Sequence, residues 1–153
     1  MCGIIGIISK QTISKSDLWS ISKDAERRGL DSSGILFNSD KKIYLKRSNK
    51  SLTKLINISN FNKTNFIIGH SRLITNSLAE NQPVKRKSIY IIHNGIIVNH
   101  NEIWNKINLK PNLKIDTEAI AGIVQKSLGE SSKSKKEINF KNIFKKIKEY
   151  TKG

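Results

Sequence analysis

The sequence predicts an α+β layered domain, and three observations carry that prediction. Short apolar runs at 3–9, 65–71 and 88–93 read as buried strands. Two more strand-like runs, 33–38 and 42–47, flank an Asn38-Ser39-Asp40 turn in the pattern of a hairpin. Between these runs lie segments whose apolar residues recur at helical spacing. Hairpin-like strand pairs interleaved with helices favour an α+β layering over a parallel doubly wound sheet.

The elements follow in order. Residues 3–9 (GIIGIIS) open the chain as a buried strand. Residues 16–28 place Leu18, Trp19, Ile21 and Ala25 on one helical face, and Gly29 is a natural stop. The hairpin follows, then a short helix at 51–57. The strand 65–71 (NFIIGHS) is separated from the strand 88–93 (SIYIIH) by a long polar loop containing Asn81-Gln82-Pro83. A helix at 99–108 carries Ile103, Trp104 and Ile107. Another starts at Asp116 and carries Ile120, Ile123, Val124 and Leu128. Residues 129–137 (GESSKSKKE) read as a charged flexible link, and 138–150 as a closing helix that needs something to pack on. The domain organisation is therefore one core over 1–128, followed by a link and final helix over 129–153.

Composition bounds the function. At 153 residues the chain suits one domain, and its apolar runs fall far short of the ~20 residues that span a bilayer. A start at Met1-Cys2-Gly3 that runs straight into a strand is no secretory signal, so a soluble, cytoplasmic protein without membrane contact is expected. The net charge of +16 suggests nucleic acid, yet 23 Lys stand against 5 Arg, and phosphate-reading surfaces draw on Arg forks. A solvated lysine-rich surface is the reading adopted, with no nucleic-acid partner. The single Cys excludes an intrachain disulfide and a cysteine-built zinc site. His70, His93 and His100 lack the helical i, i+4 spacing of a metal site, so no metal is predicted.

Five places carry chemistry. Cys2 is first. A lone cysteine is usually a small buried hydrophobe. At position 2, however, removal of Met1 would leave a thiol and an α-amine on one α-carbon, and that amine titrates near ~7.7–8.0. Nucleophile and base then coincide, the N-terminal nucleophile arrangement. Second is the Arg28-Gly29-Leu30-Asp31-Ser32-Ser33-Gly34 loop, ordinary turn chemistry that could also fix the N-terminal cysteine. Third, Arg72 in Gly69-His70-Ser71-Arg72 stands at a strand end, where it is either a surface charge or a two-pronged grip for a carboxylate. Fourth, His93-Asn94-Gly95 reads as a turn, or as an oxyanion hole built from the Asn94 amide and the Gly95 N–H. Fifth, Asp116-Thr117-Glu118 is a helix N-cap whose Asp116 could equally accept an α-ammonium.

Taken together in this order, the motifs MCGIIGI, RRGLDSSGI, IGHSRL, NQPV, HNGIIVNH and DTEAIA resemble the class II (N-terminal nucleophile) glutamine amidotransferase domain. The resemblance runs from residue 1 to about 128 and is strongest to the glucosamine-6-phosphate synthase branch, while NQPV is similar to asparagine synthetase-like branches. It implies a four-layer αββα sandwich, of which the chain carries the first half before stopping at Gly153. It implies a glutaminase: Cys2 attacks the side-chain amide of L-glutamine, and water hydrolyses the thioester. Arg28 and Gly29 line the nucleophile, Asn94 and Gly95 hold the oxyanion, Arg72 with Thr75 binds the α-carboxylate, and Asp116 binds the α-ammonium. No cofactor is implied. The ammonia passes to a synthase domain or subunit. The chain departs from the synthase branch after Arg72, where Leu73-Ile74-Thr75-Asn76-Ser77 lacks the usual Trp. Other readings are an inactive remnant of such a domain, a lysine-rich binding module, and a papain-like pairing of Cys2 with His93 or His100.

Overall fold

A computed structural model describes residues 2–73, 81–133 and 137–153 and divides into two compact units, Met1–Pro83 with Ile92–Asn94, and Val84–Ile91 with Gly95–Gly153. The first unit is a four-stranded antiparallel sheet of β1 (Gly3–Ile8), β2 (Ser32–Ser39), β3 (Lys42–Ser48) and β4 (Phe66–Arg72), in the order β1-β4-β2-β3. The β2–β3 hairpin forms as the sequence suggests, but its tight turn is one residue later: Asp40 and Lys41 both adopt positive φ, the conformation of a two-residue hairpin loop.

Two helices cover one face of this sheet. Helix α1 (Lys15–Glu26) starts on Ser14, whose hydroxyl accepts the Asp17 N–H at 3.0 Å. Helix α2 (Leu52–Asn57) has no side-chain cap of its own. Glu26, at the end of α1, supplies one, accepting both the backbone N–H and the hydroxyl of Thr53. Alternation along the strands sends Ile5, Ile35, Phe37 and Ile67 to the helix side, where they bury against Leu18, Leu52 and Ile56. Each such side chain contributes about 1.5–3 kcal/mol.

The second unit contains the hairpin of β5 (Val84–Arg86) and β6 (Ile89–Ile91) with helices α3 (His100–Ile107), α4 (Thr117–Lys133) and α5 (Phe140–Tyr150). The expected strand at 88–93 is thus shorter, and it pairs with β5. The expected link at 129–137 is corrected too. Helix α4 continues to Lys133; within this extension the Ser131 hydroxyl donates to Ser127 O and Glu130 pairs with Lys146 of α5 at 2.7 Å. Among the described residues no helix is long and apolar enough to cross a membrane.

A buried ion pair organises this unit. Arg86 Nη1 donates to Glu118 Oε1 at 2.6 Å, with the two side chains 7% and 0% exposed. The remaining Arg86 donors reach Gln125 Oε1 and Lys110 O, its guanidinium lies 5.0 Å from the centre of the Trp104 ring, and Glu118 Oε2 accepts the Asn112 and Leu113 N–H groups. Such a pair contributes little net stability when complete and costs much when halved. Replacing Arg86 with Leu, which strands the Glu118 carboxylate, should therefore destabilise the chain by about 3–5 kcal/mol. Urea unfolding followed by far-UV circular dichroism checks this, and Arg86→Leu/Glu118→Leu should recover part of the loss.

Candidate active site

The strand register brings three of the sequence motifs to one end of the first unit's sheet. Gly3 pairs with Ser71 and Ser32 pairs with Arg72. Continued by one residue, the β1–β4 register sets Cys2 opposite Arg72. The Ser71 hydroxyl donates to Ala25 O at 2.9 Å, which fixes the end of α1 against this strand end. Past α1 the chain makes one more turn, with Arg28 N–H on Ala25 O and Gly29 N–H on Glu26 O. Gly29 then lies so close to the Arg72 backbone that a Cβ there would overlap the Arg72 carbonyl carbon. Asp31 N–H donates to Arg72 O at 3.0 Å. Glycine at position 29 is thus required by a close approach, a reason that turn chemistry alone does not supply.

An open cleft of about 480 Å³ runs along β1 beside α1. Its walls include Cys2, Asp24, Arg28 and Asn94. Cys2 is half-buried and free, and its backbone nitrogen donates to Asn94 Oδ1 at 3.3 Å. Because that nitrogen can only donate, the amide oxygen of Asn94 faces it and the Nδ2 donors stay available. Arg28 is exposed. Of the residues singled out in the sequence, the structure therefore brings together Cys2, Arg28 and Asn94 in one cleft, with Gly29 and Arg72 at the same strand end.

Three others are placed differently. Thr75 lies outside the described residues. Gly95 and Asp116 belong to the second unit. There Asp116 stands at the start of α4, its carboxylate accepting Thr117 N–H at 2.8 Å and Ile97 N–H at 2.7 Å. The helix-terminus reading of Asp116 is thus realised, and the same carboxylate also ties down the stretch that follows Gly95. His100, considered as a partner for Cys2, instead has its ring nitrogen 3.2 Å from Ile97 O in the second unit.

Sequence reasoning missed the Arg86–Glu118 pair, because Lys85-Arg86-Lys87 looks like a solvated run. The alternation of Val84 in, Lys85 out and Arg86 in is visible only once the strand is formed. It also gave no part to His70. That side chain is fully buried on β4, neither ring nitrogen has a hydrogen-bond partner among the described residues, and its pKa is pushed down to about 4, first by burial and then by Arg72 and His93.

No protein-family model matches the chain. Curated relatives do. The chain is 35% identical over 146 residues to glutamine–fructose-6-phosphate aminotransferase of Buchnera aphidicola subsp. Baizongia pistaciae, which covers 88% of this chain and 23% of that protein. The enzyme of the same name from Methanococcus maripaludis is 36% identical over 138 residues, covering 84% and 23%. The chain thus spans about a quarter of the length of these relatives, in their N-terminal part. A solved structure of glutamine phosphoribosylpyrophosphate amidotransferase from B. subtilis, complexed with ADP and GMP, superimposes with a TM-score of 0.74 at 19% identity, covering 99% of this chain and 33% of that one. The α+β fold is accordingly that of the N-terminal nucleophile sandwich.

His70 yields a pH dependence whose sign is fixed. Folding holds it neutral, with a pKa near 4 against an ordinary 6.5. Above pH 6.5 it is neutral in both states and has no effect. Between pH 6.5 and 4 the unfolded chain takes up a proton that the folded one refuses, so stability falls with acidification. Chemical-denaturation midpoints measured from pH 7.5 to 4.5 should decline less steeply in His70→Gln than in the parent.

Proposed function

We infer that this chain, which belongs to the class II glutamine amidotransferases as a relative of the N-terminal part of glutamine–fructose-6-phosphate aminotransferase, is a glutaminase domain acting through Cys2. The observation that carries the reading is the hydrogen bond from Cys2 N to Asn94 Oδ1, inside the cleft that also holds Arg28.

With Met1 removed, the nitrogen now bonded to Asn94 becomes a free α-amine. It takes the thiol proton as Cys2 Sγ attacks the side-chain carbonyl carbon of glutamine. The carbonyl oxygen becomes an oxyanion, met by Asn94 Nδ2 and the Gly95 N–H. Collapse breaks the C–N bond, and the α-ammonium returns its proton to the leaving nitrogen, releasing ammonia. Water then attacks the thioester with the amine again as base, glutamate departs, and the thiol is restored. Arg72 takes the substrate carboxylate, aided by Thr75, and Asp116 takes its ammonium. Arg28 and Gly29 shape the wall beside the nucleophile. The chemistry calls for no metal or cofactor.

The ammonia acceptor is a synthase domain or subunit. A sugar phosphate is the acceptor class suggested by the name of the relatives, and a cytoplasmic setting suits that chemistry. The lysine-rich surface is read as solvated, with neither nucleic acid nor membrane as a partner.

Two measurements test this reading. The glutamine analogue 6-diazo-5-oxo-norleucine should add once to the chain, at an N-terminal Cys2. Intact-mass spectrometry showing retained Met1, or labelling that survives Cys2→Ala, would end the proposal. In steady-state kinetics Asn94→Ala should lower kcat by on the order of 10²–10³ with KM almost unchanged, since the oxyanion forms only near the transition state. Arg72→Ala should chiefly raise KM, and identical patterns in the two variants would refute this division of roles.

A further inference from the structure

Gln82 has no part in the chemistry above, yet it holds the peptide from which Asn94 projects. The segment around it is fastened to the sheet at several points. Asn81 is fully buried; its Nδ2 donates to Ser33 O at 3.1 Å and to Ser48 O at 3.3 Å. The Ser32 hydroxyl donates to Asn81 Oδ1 at 3.4 Å. On the other side, Arg47 donates through Nε and Nη2 to Pro83 O at 3.2 and 2.7 Å. Between them the Gln82 carbonyl lies against Gly34 of β2, where any Cβ would overlap it.

The side chain of Gln82, 6% exposed, turns from this anchored backbone and accepts the His93 N–H on Oε1 at 2.5 Å. His93 is followed directly by Asn94, whose Oδ1 receives Cys2 N at 3.3 Å. A path of hydrogen bonds and intervening peptide links therefore leads from β2 through Asn81 and Gln82 to the residue that meets the nucleophile. We propose that Gln82 is a positioning residue for glutamine hydrolysis: its side-chain carbonyl fixes the His93 peptide so that the Asn94 amide is held in place before the oxyanion forms. The proposal rests on the glutaminase reading.

The reasoning is energetic as well as geometric. An oxyanion donor is effective because it is already oriented when charge develops, and a displacement of about 1 Å costs on the order of 10²-fold in rate. Substrate binding does not use that donor, so loss of Gln82 should appear in kcat and not in KM. Glutamate at this position keeps an acceptor oxygen for the His93 N–H, whereas methionine keeps the length and removes it.

The test uses the full chain. Gln82→Met should lower kcat for glutamine by roughly 10–100-fold with KM within about twofold, and Gln82→Glu should recover most of the loss. In an Asn94→Ala background Gln82→Met should cost little more, because it acts through Asn94. Hydrogen–deuterium exchange should accelerate over 92–94 in Gln82→Met while β2 and β4 stay protected. Gln82→Asn, which withdraws the acceptor by one methylene, serves if the methionine variant does not fold. Unchanged kcat, a selective rise in KM, or full additivity with Asn94→Ala would overturn the role of Gln82. So would unchanged exchange over 92–94, even in a chain without activity. A parent chain that neither hydrolyses glutamine nor takes label at Cys2 would instead overturn the glutaminase reading, leaving the exchange result to decide the anchoring by itself.

Discussion

The register of β1 on β4 is the constraint on which the candidate site depends. Gly3 opposite Ser71 sets Cys2 level with Arg72, and the β2–β4 register puts Ser32 on the other side of the same residue. Side chains alternate along a strand, so a slip of one residue would send Ile5 and Ile7 out of the core and turn the neighbours of Cys2 to the wrong face. The burial of Ile5, Ile35, Phe37 and Ile67 against α1 and α2 thus does more than stabilise the sheet. It specifies the register, and through the register it gathers residues 2, 28, 29 and 72, which lie far apart in sequence.

In the second unit the corresponding constraint is electrostatic. Glu118 has no exposure, and its carboxylate is tolerated because Arg86 and two backbone N–H groups surround it. Two residues earlier, Asp116 uses its carboxylate on the N–H groups of Thr117 and Ile97. The start of α4 therefore holds Asn112 and Leu113 with one acid and the stretch after Gly95 with the other. Both acids also sit at the positive end of the helix dipole, which favours them there.

Much of this was legible in the sequence because it depends on local pattern. Apolar and strand-like runs located β1, β2, β3 and β4, helical spacing located α1, α3, α4 and α5, and Asn38-Ser39-Asp40 announced the hairpin. Strand β5 was not legible: three residues, two of them basic, give no apolar run, and the strand exists because Val84 and Arg86 find partners. The extension of α4 through Gly129–Lys133 was hidden by a polar composition that suits a link equally well, and it is the packing of α5 that decides. At the candidate site Cys2 drew attention by its place in the chain and Asn94 by its neighbours, and the structure sets the two side by side. Gln82 gave no such sign, since its contact with His93 spans 11 residues and a Gln-Pro in a polar loop looks like turn chemistry.

The geometry also accounts for the residue type at position 94. An amide offers an acceptor and a donor pair on one rigid plane. The acceptor is taken by Cys2 N, so the same plane that orients the base under the proposed mechanism aims the Nδ2 donors elsewhere. A carboxylate could receive the Cys2 nitrogen, but it would bring a negative charge to the place where an oxyanion must form. A serine would reach one partner and not both. Under that mechanism asparagine carries both requirements on one amide plane, so whatever steadies residue 94 bears on both. That fixation falls to the segment 81–83 and the sheet beneath it: Gly34 leaves room for the Gln82 carbonyl, Asn81 and Arg47 hold the chain on either side, and Gln82 reaches the His93 peptide. Buried Gly34 on β2 and half-buried Arg47 on β3 thereby bear on the position of Asn94 beside Cys2.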